Sequence, residues 1–415
     1  MTLYPRWANA RLLQVLAAFP AVMVTGARAV GKTTTAEQFS AETVRLDSPR
    51  ERAVFVADPD AALIGLKAPS LLDEWQSVPE VLGAVKRSVD RNRGVGRYIL
   101  TGSAYPKAGV TAWAGTGRVI TVPMAPMTQA EARASSAEGL VLALRNPMMS
   151  MLTDEHVASS HPSQGADLLE VLACALRSGF PAAMELTEPD RRLWIEAYAS
   201  DLVQRDPIDI GERVDTVLLR RYLEALLAVS ATTATDQSLR TAAEIATDTG
   251  RRYHDLLTRM HVITDIPSWS SNRLTGIAKA PKRMVCDAAF LAPSLPAVRR
   301  DGVLLDRVLE TFVHQQIKPL ADLGPVPFRI FHARSTTGHR EIDFILERGD
   351  GRILAVEVKA TAAPSAKDAA HVKWLAEKIG HRFLGGLVLH TGPSTFELGN
   401  GVWAVPISSF WSQSR

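Results

Sequence analysis

The sequence predicts an α/β protein in three parts: a parallel-sheet domain over residues 1–190, a helical and winged-helix-like region over 191–300, and a second α/β domain over 301–415. Three observations carry this prediction. Strand-like and helix-like segments alternate through residues 1–130, the pattern of a parallel sheet covered by helices. A glycine-rich turn, Gly26-Ala-Arg-Ala-Val-Gly31-Lys32-Thr33, separates an apolar run from a helix-like stretch. Near the C-terminus, strand-like runs meet at the hairpin turn Asp350-Gly351. A chain of 415 residues is too long for one core.

The first strand is Ala21-Val22-Met23-Val24, and the helix-like stretch runs from Thr34 to Phe39. Strand, G-x-x-x-x-G-K-[ST] loop and helix follow in the order that a phosphate cradle needs. Glycines let backbone N–H groups turn inward onto phosphate oxygens, and the helix N-terminus adds a favourable dipole. Lys32 supplies a mobile positive charge and Thr33 a hydroxyl for Mg²⁺. Gly26, Arg28, Ala29, Val30, Gly31, Lys32, Thr33 and Thr34 are therefore expected to hold ATP. The alternative is a glycine turn that merely happens to carry Lys-Thr.

Ser70-Leu71-Leu72-Asp73-Glu74 is a short apolar run ending in paired carboxylates. Alone, such a run is more often a strand capped by solvated charge. Placed about 40 residues after a phosphate loop, it offers Asp73 for the Mg²⁺ shell and Glu74 to polarise the attacking water. The run 97–103 is another buried-type strand. Its end places Thr101 or Ser103 where ligands sit in parallel sheets, within reach of a γ-phosphate, or simply ends a strand in polar residues.

Residues 106–117 read as a loop leading to Arg118, and 132–166 as an irregular insertion with Ser-Ser, Asn-Pro and His-Pro breaks. Residues 167–230 carry helical periodicity, with Leu218, Leu219, Tyr222, Leu223, Leu226 and Leu227 on one face. Residues 237–266 form a separate unit: a helix over 239–246, a turn and helix start at Asp248-Thr249-Gly250, a helix over 251–260 and a strand over 262–266. That order outlines a winged helix-turn-helix, with Arg251, Arg252 and His254 where DNA contacts would fall. The alternative is a packing module that never meets DNA.

Residues 303–320 read as a helix with Leu304, Leu305, Val308, Leu309, Phe312 and Val313 as its apolar set and Glu310 within it. Strands follow over 328–333, 341–347 and 353–359, then a helix over 366–379. Alternation puts Glu357 and Lys359 on one face and Val356 and Val358 on the other, with Asp343 on the neighbouring strand able to meet them. Converging Asp, Glu and Lys side chains suit a Mg²⁺-dependent nuclease. Carboxylates hold a hard cation, the metal activates water, and lysine orients the nucleophile. Glu310, Asp343 and Glu357 are the expected metal ligands and Lys359 the catalytic lysine. An exposed Glu-Lys pair on an edge strand is the plainer reading.

Composition is globular, with 46% hydrophobic and 22% charged residues. No apolar run approaches a membrane span, and the N-terminus lacks a signal-like segment. Cys174 and Cys286 lie far apart in apolar contexts, so two buried thiols are expected in a cytoplasmic protein, not a disulfide or metal site. A net charge of +3 permits a DNA or RNA partner without demanding one.

The chain resembles a large prokaryotic family of AAA+-type P-loop ATPases whose members carry a C-terminal domain of unknown function with a PD-(D/E)xK nuclease-like core. The matching stretches are 26–34, 71–79, 99–103, 114–118, 179–182 and 204–206, with Glu341-Ile-Asp343 and Glu357-Val-Lys359. The resemblance implies that Asp73 and Glu74 are the Walker B pair and Ser103 a sensor. It implies that Arg118 senses phosphate or acts as a finger on a neighbouring subunit of a homo-oligomer. Trp75 stands where an aliphatic residue is common, and Leu-Ala-Gly-Arg is stretched to Trp113-Ala-Gly-Thr-Gly-Arg118. The expected function is a Mg²⁺-dependent ATPase coupled to a nuclease-like domain, in DNA processing, defence or a toxin–antitoxin-like role. The alternative is an ATP-gated switch whose inert C-terminal domain binds a protein or nucleic-acid partner.

Overall fold

The computed structural model describes residues 3–103, 117–155, 166–270, 279–292, 295–335 and 340–411. Most of the expected 106–117 loop, including 113–116 of the stretched motif, and residues 156–165 of the expected insertion lie outside the described residues.

The N-terminal sheet contains β1 (Ala21–Thr25), β2 (Glu42–Arg45), β3 (Ser70–Asp73), β4 (Tyr98–Gly102) and β5 (Val119–Pro123). Its order is β2-β3-β4-β1-β5 and every pairing is parallel. β1, β3 and β4 are buried along their whole length, which is why they read as unbroken apolar runs and not as alternating ones. Val22, Val24, Leu71 and Ile99 pack on one side with Leu12, Tyr198 and Leu219. Ala21, Met23, Leu72 and Leu100 pack on the other with Phe55, Val81 and Val85. Parallel pairing brings Thr25, Asp73 and Gly102 to one edge, the edge where the glycine loop leaves the sheet.

The middle region is helical, with helices Glu188–Gln204, Thr216–Ala228, Asp236–Ala243 and Thr247–Arg259. β6 (Ile263–Ile266) then pairs antiparallel with β7 (Lys282–Val285). The helix expected from 239 begins at 236 because Thr235 caps it, accepting from the Ser238 N–H. At 248–250, expected as a turn and helix start, the next helix is already under way from Thr247. Gly250 serves close packing there: a Cβ would stand 2.7 Å from Arg240 Cγ.

The C-terminal sheet is mixed. β8 (Phe328–Arg334), β9 (Glu341–Arg348) and β10 (Ile353–Lys359) form an antiparallel meander, with Gly351 at φ 81° in the hairpin turn. β11 (Phe383–His390) and β13 (Val402–Pro406) continue it in parallel, and β12 (Phe396–Gly399) closes the edge antiparallel. The Gly302–Leu323 helix covers the face of Phe344, Leu346 and Val356, and the Ala370–Ile379 helix packs with Ile345 and Ala355 on the other.

The segment 132–166 is more regular than expected. Helices Ala137–Leu142 and Pro147–Leu152 start at the caps Ser136 and Asn146 and bury Leu140, Met148, Met149, Met151 and Leu152. These join Val171, Leu172, Val308, Phe312 and Phe344 in one core. Among the described residues no helix is long and apolar enough to cross a membrane. Cys174 and Cys286 are free thiols.

Candidate functional site

The glycine loop is shaped by close contacts. A Cβ on Gly26 would lie 2.1 Å from the Met124 carbonyl oxygen, and Gly31 has φ 93°, a left-handed value that favours glycine. Arg6, 5% exposed, pins the loop from outside. Its guanidinium donates to the carbonyls of Val30 and Ala125 at 2.7 Å each, and to Glu131 at 3.0 Å. Tyr198 Oη donates to the Arg28 carbonyl at 3.1 Å.

Lys32 is buried and folds back on its own loop, donating to the Gly26 and Ala27 carbonyls at 3.0 and 2.9 Å. Burial pushes its ammonium down to about 8. Thr33 Oγ1 donates to Asp73 Oδ1 at 2.8 Å, and Thr101 donates to the same oxygen. Glu74 has φ 55°, so the chain turns back at the end of β3 and presents Gln76 beside it. Gln76 Nε2 donates both to the Glu74 carboxylate and, at 3.1 Å, to Ser103 Oγ. Burial raises the Glu74 carboxyl above its usual range. Trp75 finds room against Gly102, where a Cβ would stand 2.3 Å from its Nε1.

Lys32, Thr33, Asp73, Glu74 and Ser103 thus meet at one sheet edge. Gln76, which joins Glu74 to Ser103, carries no signal in the sequence, because its position depends on the left-handed turn at Glu74. Arg28 turns outward from the loop to Asp206 Oδ1 at 2.5 Å and Asp209 Oδ2 at 2.8 Å. Arg118 is not brought to this edge. It precedes β5, at the opposite end of the parallel sheet, and pairs with Asp90 at 2.5 Å. A five-residue strand at ~3.3 Å per residue puts about 16 Å between the two edges. The expected sensing of phosphate by Arg118 within its own subunit is therefore corrected by strand direction.

The site's donors fit a magnesium nucleotide. The glycine backbone leaves a cradle a side chain would fill, and Thr33 and Asp73 offer only hard oxygen.

The second predicted constellation is also brought together. β9 and β10 pair as far as Val356↔Phe344; beyond that, Asp343 Oδ2 accepts the Val358 N–H at 2.9 Å. Lys359 Nζ donates to Glu357 Oε1 at 2.8 Å, as the shared face predicts. Into this group comes Lys282 of β7. Its Nζ lies 2.5 Å from Glu310 Oε2, 3.0 Å from Asp343 Oδ1 and 3.8 Å from Glu341 Oε1, with the side chain 1% exposed. Burial alone would lower the Lys282 ammonium, but Asp343 and Glu310 outweigh it and hold it above its usual value. Burial, with Asp343 alongside, raises both Glu310 and Glu357. Burial would raise Asp343 as well, but Lys282 and the Val358 N–H keep it low.

Glu310 and Asp343, expected to share a divalent cation with Glu357, instead share an ammonium. Among the described residues no group of three His, Cys, Asp or Glu side chains is placed to hold a metal ion. Lys282 was not legible: it lies 61 residues before Asp343, one lysine in a short strand.

Of the basic residues at the second helix of the middle unit, His254 is tied down. Its Nε2 lies 2.8 Å from Asp265 and its Nδ1 3.3 Å from Tyr222 Oη. Arg252 lies over the Tyr253 ring, while Arg251 sits on the surface 3.9 Å from Asp248.

Residues 18–133 match an AAA domain family. Residues 170–299 and 305–410 match two domains of unknown function, DUF8612 and DUF4143. The chain is 25% identical to the uncharacterized protein Rv2008c of Mycobacterium tuberculosis, over 98% of this chain and 84% of that protein. Mb2031c of Mycobacterium bovis is similar to the same extent. The Walker-type ATPase PABY2304 of Pyrococcus abyssi aligns with TM-score 0.39 and 16% identity, over 70% of this chain and 95% of that one. Thermotoga maritima RuvB, in a point-substituted form, aligns with TM-score 0.29 and 17% identity, over 63% and 89%. The AAA match and the loop geometry make the N-terminal sheet a P-loop ATPase domain. The C-terminal mixed sheet belongs to a region of unknown function.

Proposed function

We propose that the chain is a Mg²⁺-dependent ATP hydrolase that works as a switch, relaying nucleotide state through the middle region to a C-terminal domain that recognises a protein or nucleic-acid partner. The observation that carries it is the meeting of Lys32, the Thr33–Asp73 pair and the Glu74–Gln76–Ser103 chain at one sheet edge. Backbone N–H groups of 28–33 and Lys32 would hold the phosphates, and Thr33 and Asp73 the metal. Mg²⁺, when bound, neutralises phosphate charge. Glu74 orients the attacking water, and its tie to Gln76 sets where that carboxylate points. Arg28 supports the relay: a phosphate arriving at the loop competes with Asp206 and Asp209 for the same guanidinium. Arg118, on the far edge, would complete a site only in a neighbouring subunit of a homo-oligomer.

Mg²⁺-ATP turnover by a Lys32→Ala variant tests the reading. Loss of nucleotide binding and a fall in turnover of at least about a hundredfold are expected; undiminished turnover would sink it. A second reading, a metal-dependent nuclease of the PD-(D/E)xK type, draws on the convergence of Asp343, Glu357 and Lys359. The ion pairs of Lys282 favour the binding platform.

A further inference from the structure

Building on the ATPase reading, we infer that Arg6 and Tyr198 are positioning residues of the phosphate cradle: from outside the glycine loop they fix two of its peptide planes, so that the N–H groups of Gly31 and Ala29 face the phosphates. A peptide unit is planar, and in the trans form its C=O and N–H point in opposite directions. Among the described residues the one cis bond is Ala68–Pro69, so both units here are trans. The Val30 carbonyl accepts from Arg6 Nη1 at 2.7 Å, on the outer side of the loop. The Gly31 N–H, on the same plane, is thereby aimed the other way, into the cradle. The Arg28 carbonyl accepts from Tyr198 Oη at 3.1 Å, which aims the Ala29 N–H in the same manner. Ala29 and Gly31 stand at φ 62° and 93°, both left-handed values. Left-handed residues within such a turn bring N–H groups to one side, the anion-holding concavity of a nest. For Ala29, which has a Cβ, that conformation is costly and has to be held by its surroundings.

Neither residue needs to touch the phosphates. Arg6 Nε lies 3.0 Å from Glu131 Oε1, with both side chains buried, so its charge is already met. Glu131 is fixed in turn. It accepts the Trp7 N–H at 2.9 Å and the Thr128 N–H at 2.7 Å, at the start of the Gln129–Arg133 helix. The planar guanidinium reaches Val30, Ala125 and Glu131 at once, which a lysine ammonium on its flexible stem does not reproduce. Tyr198 lies on the Glu188–Gln204 helix of the middle region, packed against the rings of Phe180 and Trp194. Burial pushes its phenol well above the ordinary value, so the hydroxyl keeps its proton and donates. Lys32 also binds loop carbonyls, but its ammonium is needed at the phosphates. Arg6 and Tyr198 have no second duty. Because one of the two amides is set by the middle region, nucleotide binding and the docking of that region favour each other.

The test compares the full chain with its Arg6→Lys and Tyr198→Phe variants in Mg²⁺-ATP binding by calorimetry and in steady-state turnover, with melting curves to confirm folding. The amides hold phosphate in the ground state and the transition state alike, so Kd and KM should rise while kcat stays within about threefold. A rise of about tenfold is expected for Arg6→Lys, and of about three- to tenfold for Tyr198→Phe, which loses only a hydroxyl. Parental Kd and KM in either folded variant would overturn the inference. So would a fall in kcat at unchanged KM, or a joint fall of kcat and Tm without that split, the mark of general loosening. If Arg6→Lys does not fold, Arg6→Met with Glu131→Gln removes both buried charges together and takes its place under the same criteria; if that also fails, Tyr198→Phe decides alone. A parent that binds no Mg²⁺-ATP sinks the ATPase reading and this inference together. A parent that binds, with variants that bind as well, sinks the inference alone.

Discussion

Lys32 and Lys282 are both buried lysines beside carboxylates, and they are set in opposite ways. Lys32 rests on two carbonyls of its own loop, and burial pushes it down to about 8. Lys282 rests between two carboxylates, which hold it above its ordinary value. Carbonyls are weak partners that a ligand's phosphate displaces; ionised carboxylates in a dry pocket are not. The first lysine is therefore part of a site made to receive something. The second already is what its site receives. Similar side chains, differing only in the charge of their neighbours, separate a working cradle from a structural clasp.

The largest effect that would sharpen this contrast is at Glu74. A carboxylate that orients water acts in the transition state, so Glu74→Gln should lower ATP turnover by roughly 10²-fold or more while leaving nucleotide affinity nearly unchanged. Equilibrium binding and single-turnover rates measure the two separately. Equal loss of both would make Glu74 a binding residue and remove the cradle's claim to chemistry.

Acid should divide the two halves next. All ten histidines lie at or beyond position 156. Burial holds His314 at about 3 and His332 at about 4, with Lys282 adding to both. An unfolded chain takes up protons below about 6.5 that these folded histidines refuse, so their stability is full above that pH and is lost as pH falls toward 3–4. For fully buried His314 the loss at pH 5 is about 2 kcal/mol. Glu310 and Glu357, both raised by burial, run the other way, since the folded sheet takes up their protons before the unfolded chain does. In a Glu310→Gln, Glu357→Gln background, where that gain is removed, hydrogen exchange at pH 7 and pH 5 should show β8–β10 opening before β1–β5. Opening of the ATPase sheet first would contradict it.

Alkali should give the smallest effect, and on the other lysine. Phosphate binding wants Lys32 charged. With its ammonium at about 8, ATP affinity should hold below that pH and weaken by up to about tenfold from pH 8 to pH 9. Lys282, held in the charged form, should show no change there. A flat ATP affinity across this range would mean that the two lysines are less different than their surroundings suggest.

The cradle was legible because eight consecutive residues specify it; Asp73 and Glu74 follow from reading a strand end, which at β4 left Thr101 and Ser103 as alternatives that only the family resemblance narrowed to Ser103. The C-terminal strands were legible from their apolar runs and the Asp350-Gly351 turn. What escaped lay far away in the chain. Arg28 meets Asp206 and Asp209 across 178 and 181 residues, and Lys282 reaches Asp343 across 61. Pattern reading sees neighbours at helical or strand spacing, and these pairs have none. Arg118 needed the direction of β5 relative to β1, which a motif does not carry. The helices at 137–152 were hidden by small and polar residues, although Ser136 and Asn146 are ordinary helix starts in hindsight.

The Gly302–Leu323 helix has a practical consequence for anyone wishing to take the molecule apart. It carries Glu310 toward β9 and, nearly two turns later, Gln316, whose Oε1 accepts the Gln129 N–H at 2.8 Å. Val308 and Phe312 share a core with Met148, Leu152 and Leu172 as well as Phe344. An expression fragment starting near residue 301 would leave that helix without the 130–176 neighbours it is greased against. One ending near residue 300 would leave those neighbours bare. The gene offers no clean place to cut, and a soluble half-protein would have to be engineered by replacing the missing apolar surface, not simply by choosing a boundary.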